Sequence, residues 1–229
     1  MSIIINTSMF DALIASAPEY VPPTPLEIAA AAEVDRIEKL DARRMRALGA
    51  RTGWPERYFA AVQSPPHGEE WLNAYELASD RVKKDGILIL YGKRGSGKTR
   101  MAAELAFDAG ESQYRTAMRF FLEVRATFRK DSNVSELEII DALTNSALLV
   151  IDEVQERGDT AFEDRLLTHV IDARYSAMRP TILIANLPKS ELAESLGKSI
   201  VDRARENGKS IEFDWPSYRS GLISDPIKK

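Results

Sequence analysis

The chain has 229 residues, 44% of them hydrophobic and 29% charged, with a net charge of −4. That composition suits a globular protein with one mid-sized core, or a core plus a small accessory domain. It argues against a strongly basic nucleic-acid binder but allows a local basic patch.

The chain has no cysteine, which excludes disulfides, zinc–thiolate sites and cysteine nucleophiles. Its two histidines, His67 and His169, are too few for an all-histidine metal site and read as structural or surface residues. No apolar run approaches the ~20 residues that a membrane helix needs. The opening "MSIIINTSMFDALIASAPEY" lacks the Lys or Arg that begins a secretory signal. A cytoplasmic protein is expected.

Residues 1–23 end in a proline cluster and read as a flexible arm, or as a short partner-binding segment around Ile3–Ile5 and Met9–Ile14. Thr24-Pro25-Leu26-Glu27 has the pattern of a helix start, with a cap, a proline at the first position and a glutamate that completes a capping box. Leu26, Ala30, Val34 (or Glu33), Ile37, Leu40, Arg44 (or Met45) and Leu48 then follow at spacings of three and four, and Gly49 is a stop signal. The stripe suits a helix packed on its own domain or one docked on a partner protein. Residues 51–70 read as a linker, with a domain boundary near Ser64. The expected organisation is therefore an arm (1–23), a helical partner-binding region (24–63) and a main domain (64–229).

Glu69 to Lys84 predicts a helix with Trp71, Tyr75, Ala78 and Val82 on one face. From Gly86 onward, strands and helices alternate. Strands are expected at 87–91, 115–121, 147–154, 181–186 and 210–215. Helices are expected at 99–109, 122–130, 135–145, 160–178 and across "SELAESLG" and "KSIVDRARENG". Continuous apolar runs alternating with helices imply an α/β fold with a parallel sheet covered on both faces.

Two motifs carry chemistry. Gly92, Lys93, Arg94, Gly95, Ser96, Gly97, Lys98 and Thr99 fit G-x-x-x-x-G-K-[ST] between a predicted strand and a predicted helix. Glycines there let backbone N–H groups close on phosphate oxygens, and the helix start adds its positive end. Lys98 would reach the β- and γ-phosphates of ATP, and the Thr99 hydroxyl would hold Mg²⁺. The run "LLVIDEV" ends in two carboxylates. Asp152 can share the Mg²⁺ with Thr99, and Glu153 can activate a water. Asn186, at the tip of the 181–186 strand, can hydrogen-bond that water or the γ-phosphate, since polar strand ends face the ligand crevice of such sheets.

The order of these pieces resembles the AAA+ ATPases. "GWPERY", "YGKRGSGKT", "LLVIDEV", "IDARY", "RPTILIANL", "VDRARENG" and "IEFDWPSYR" together resemble the DnaC/IstB family of helicase loaders and transposition helper ATPases, over roughly residues 51–220. The resemblance implies an AAA+ P-loop core with a reduced C-terminal lid, preceded by a small helical N-terminal domain. It implies that Arg203 acts as an arginine finger on a neighbouring subunit's ATP, and that Arg174 contacts another subunit. It also implies self-association into a ring or spiral, a hexameric replicative helicase as partner, and single-stranded DNA as ligand. The basic cluster of Arg115, Arg119, Arg125, Arg129 and Lys130 is where DNA would be met, with Arg125 and Arg129 expected four apart on one helix face. A solvated helix face is the competing reading of that cluster. A transposition helper ATPase and a non-hydrolysing ATP-gated adaptor stand as alternatives to the loader.

Overall fold

A computed structural model describes residues 52–58, 68–109, 111–158 and 160–218, with Pro22 and Thr24. Apart from those two residues, the expected arm and the helix expected after Thr24 lie outside the described residues.

Five strands form an all-parallel sheet: β1 (Ile87–Gly92), β2 (Ser112–Thr116), β3 (Leu148–Asp152), β4 (Thr181–Ala185) and β5 (Gly208–Phe213), in the order β2-β3-β4-β1-β5. The helices that connect and cover them are α1 (Glu69–Lys83), α2 (Lys98–Ala109), α3 (Ala117–Ala126), α4 (Glu136–Asn145), α5 (Ala161–Ser176), α6 (Lys189–Leu196) and α7 (Lys198–Asn207).

The strands β3 and β4 are buried along their whole length because each side of the sheet has its own core. Ile87, Ile89, Leu149, Ile151 and Leu183 pack with Phe120, Phe121, Val124, Leu167, Val170 and Ile171 from α3 and α5. The alternate residues Leu88, Leu90, Val150, Ile182 and Ile184 pack with Trp71 and Ala78 of α1, Met101 and Leu105 of α2, and Trp54, Phe213 and Trp215. Each such aliphatic side chain contributes about 1.5–3 kcal/mol of burial, so the strand positions at the heart of the sheet are strongly fixed. After Asn186 the chain completes this fold. α6 and α7 lead into β5, which pairs with β1.

One element differs from expectation. Of the strand expected at 115–121 only Arg115 and Thr116 are in a strand, and Ala117 onward is helical. β2 ends at Thr116, whose hydroxyl accepts the Arg119 N–H at 3.2 Å and caps α3. Ala117, Phe120, Phe121 and Val124 then repeat at helical spacing and are all buried. The helical period outweighs the strand preference of the two phenylalanines. Because α3 stops at Ala126, Arg129 falls in the turn beyond it and does not share a helix face with Arg125.

Arg174 also differs. The expected inter-subunit contact is ruled out by complete burial. Its guanidinium donates to Leu143 O (2.8 Å), Ser146 O (2.8 Å), Pro180 O (2.6 Å) and Thr181 Oγ1 (2.9 Å). Together with Arg179, which donates to Thr144 O at 2.6 Å, it closes the C-terminal end of α4, where a cation is favoured. Burial, and then the neighbouring Arg179 charge, pull its pKa down to about 9, which leaves it protonated at neutral pH. Arg174→Leu would strand several buried carbonyls at a cost of about 3 kcal/mol. Scanning calorimetry should then show the melting temperature lower by roughly 6–12 °C. An unchanged melting temperature would mean that the carbonyls do not depend on Arg174.

Candidate nucleotide-binding site

The loop between β1 and α2 curls through three residues with positive φ, namely Gly92 (117°), Gly95 (79°) and Gly97 (94°). A Cβ at Gly92 would lie 2.5 Å from Phe213 O, and one at Gly97 would lie 2.9 Å from Trp71 Nε1. These glycines are therefore required by the protein's own packing as well as by any phosphate. Lys98 is buried, and its ammonium donates to Gly92 O (3.0 Å) and Lys93 O (2.7 Å). That geometry holds a positive charge inside the curve of the loop, at the N-terminal end of α2.

The chain that follows β5 straps this loop. The Lys93 N–H donates to Phe213 O at 3.0 Å, and its ammonium donates to Asp214 O. The Trp215 indole N–H donates to Ser96 O at 2.9 Å, and the Tyr218 N–H donates to Gly95 O at 3.0 Å. The sequence marked "FDWPSYR" as part of a family pattern without assigning this contact.

Asp152 ends β3 and Glu153 follows it, with β4 between β3 and β1. The Thr99 hydroxyl donates to Asp152 Oδ2 at 2.8 Å, so the loop and the Asp-Glu strand meet as expected. Tyr114 OH donates to the same oxygen at 3.0 Å, and the Glu153 N–H donates to Oδ1 at 2.8 Å. Sequence reasoning did not find Tyr114. Glu153 is exposed and sits at φ 54°, a left-handed conformation that costs free energy in a non-glycine residue and recurs at functional sites. Loss of solvation, and then the charges of Asp152 and Glu156, raise its pKa above the ordinary glutamate value. Asn186 follows β4 directly and is half-buried, and its N–H donates to Gln155 Oε1 at 3.1 Å. This bond laces the end of β4 to the loop after Glu153.

Among the described residues no group of three or more His, Cys, Asp or Glu could hold a metal. The Thr99 hydroxyl and Asp152 carboxylate are adjacent hard oxygen donors. This pair fits Mg²⁺, which takes one or two protein oxygens and completes its shell with phosphates and water.

Arg203 lies elsewhere, on α7. It pairs with Asp172 Oδ2 at 2.9 Å, donates to Ser199 O at 3.0 Å and lies over the Tyr175 ring at 5.7 Å. The basic cluster is largely paired. Arg125 is bound to the buried Glu163 at 2.6 Å, and Arg115 and Arg119 both pair with Glu123. Arg129 and Lys130 are exposed.

Residues 73–221 match the family described as IstB-like ATP binding protein. The chain belongs to that family. The replicative helicase loader DnaC of Escherichia coli K12 is 33% identical over 161 residues, 66% of this chain and 65% of that protein. The replicative helicase loader DnaC of Buchnera aphidicola subsp. Baizongia pistaciae is 27% identical over 197 residues, 81% of this chain and 80% of that protein. A crystal structure of the DnaC helicase loader superposes with a TM-score of 0.58 at 17% identity, covering 70% of this chain and all of that one. The fold is the AAA+ P-loop fold of such proteins, and the family is ATP-binding.

The raised Glu153 pKa fixes the sign of a stability effect. A carboxyl whose pKa is higher in the folded than in the unfolded state contributes stability at low pH and loses it as pH rises through the folded value. Glu153→Gln should therefore melt above wild type at pH 7, and the gap should close as pH falls toward about 4, in thermal melts at stepped pH. A gap independent of pH would contradict this.

Proposed function

We propose that the protein is an ATPase that loads a hexameric replicative helicase onto single-stranded DNA. The observation that carries the reading is a division within the site. Lys98, Thr99, Asp152 and Glu153 converge, while Arg203 makes its described contacts with α5 and α7. Such a site is completed by a second protomer. The backbone N–H groups of the loop and Lys98 bind the ATP phosphates. Thr99 and Asp152 hold Mg²⁺, which neutralises phosphate charge during hydrolysis. Glu153 takes a proton from the attacking water, Asn186 orients that water or the γ-phosphate, and Arg203 of the neighbouring protomer meets the charge that develops there. Assembly must first draw Arg203 off Asp172, so turnover is slow in the free chain.

The helicase assignment draws on the relatives called helicase loaders. The Buchnera match, over 197 residues, is longer than the 73–221 family match and so extends into the N-terminal region. That region, residues 24–63, is the proposed helicase grip, and residues 64–229 are the proposed ATPase domain. Arg129 and Lys130, with Arg125 if it leaves Glu163, are the proposed contacts to single-stranded DNA. The proposed setting is the cytoplasm. Among the described residues no helix is long and apolar enough to cross a membrane.

The test is a loading assay with the full chain, a hexameric replicative helicase, closed circular single-stranded DNA and ATP. Helicase should be retained on the circle only when both the chain and ATP are present. Arg203→Ala should still bind ATP but lose about 10³-fold in assembled turnover. Stimulation by duplex DNA and a transposase, with no helicase retained, would make the protein a transposition helper. Unchanged phosphate release from Glu153→Gln would make it a non-hydrolysing adaptor.

A further inference from the structure

Asp152 Oδ2 accepts two hydrogen bonds, and the nucleotide site explains one of them. Thr99 comes from the phosphate loop and is itself a proposed metal ligand. The other donor, Tyr114, comes from β2, the strand beside β3, where it lies opposite Val150 and Thr116 lies opposite Asp152. Tyr114 is buried at 6% exposure, and its hydroxyl is 3.0 Å from the carboxylate. Its ring stacks on Trp54 at 4.4 Å and 29°. Trp54 is fixed in turn, because its indole N–H donates to Ser112 Oγ at 3.0 Å. Arg115 donates to Thr52 O at 3.0 Å, which pins the same segment to β2.

We propose that Tyr114 is a positioning residue for Asp152, and that Trp54 holds Tyr114 in place. The inference rests on the nucleotide site proposed above. A carboxylate at a strand end can turn about its own bond. The Glu153 N–H holds Oδ1 and the Tyr114 hydroxyl holds Oδ2, so the two bonds together define the plane of the group. Thr99 can keep donating to Oδ2 while its lone pair serves a metal, but it belongs to the phosphate loop, so Tyr114 is the restraint on Oδ2 that comes from outside the nucleotide site. Hydrogen bonds that orient a ligating carboxylate commonly set metal affinity. The stack also makes Trp54, near the end of the proposed helicase grip, a close neighbour of the proposed metal carboxylate. A pull on that segment would be felt first at Tyr114.

The experiment uses the full chain and a fluorescent N-methylanthraniloyl ATP, titrated with Mg²⁺. Tyr114→Phe keeps the ring and the stack and removes only the hydroxyl. The Mg²⁺ concentration for half-maximal nucleotide binding should rise about tenfold. Trp54→Phe should shift it by less, in the same direction, because a smaller ring weakens the stack. A purely structural tyrosine would lower the melting temperature and leave the Mg²⁺ midpoint in place. A midpoint within twofold of wild type in folded Tyr114→Phe overturns the proposal. If Tyr114→Phe fails to fold, an unchanged midpoint in Trp54→Phe overturns it. Absence of Mg²⁺-dependent binding by the wild type would overturn the nucleotide site itself, and this inference with it.

Discussion

The Lys93 N–H donates to Phe213 at the end of β5, Ser96 O and Gly95 O accept from Trp215 and Tyr218 beyond it, and these bonds hold the phosphate loop in shape. Free glycine-rich backbone would lose about 1–2 kcal/mol per residue on being ordered by a ligand. Folding meets that cost when Phe213, Trp215 and Tyr218 lie down against the loop. The loop's N–H groups are then preorganised, and binding is stronger for it. The close packing at Gly92 follows from the same contact with Phe213, and that at Gly97 from Trp71 of α1. The strap depends on β5, β5 depends on its pairing with β1, and β1 delivers the loop.

The charges are arranged to be released as well as held. Lys98 is satisfied by two carbonyls of its own loop, and Arg203 by Asp172 and the Tyr175 ring. A phosphate offers Lys98 a full negative charge in place of two dipoles, a stronger partner. Arg203 is held by an ion pair only about a third exposed, and in the proposed assembly it would exchange Asp172 for the charge of a neighbour's γ-phosphate. Arg174 is the contrast. It is buried against fixed carbonyls, and its role is to close α4 against the sheet.

Much of this was legible in the sequence because the patterns are local. The G-x-x-x-x-G-K-T loop, the apolar run into Asp152 and Glu153, and the run into Asn186 each announce themselves within a few residues. The strap and the Tyr114 bond do not. Trp215 and Ser96 are 119 residues apart, and Tyr114 and Asp152 are 38 apart, so no short pattern joins them. The end of the strand expected at 115–121 was not legible because Thr116 both closes β2 and caps α3, and the helical spacing of Ala117, Phe120, Phe121 and Val124 is confirmed only by their burial. Arg174 could not be placed locally, because a charged residue is ordinarily at a surface and its cage of four carbonyls and two hydroxyls is assembled from α4, the loop after it, Pro180 and β4. Arg125 likewise has a partner that no local pattern announces. Its partner Glu163 lies on α5, out of sight of its own helix.

The central claim is that the strapped loop and its lysine form a preorganised ATP site. Isothermal titration of ATP with Mg²⁺ into the full-length chain tests it most directly, with Lys98→Ala titrated beside it. Saturation at one ATP per chain is expected for the wild type, with no measurable binding for Lys98→Ala at the same concentrations. A folded Lys98→Ala protein that binds ATP with wild-type affinity would contradict it.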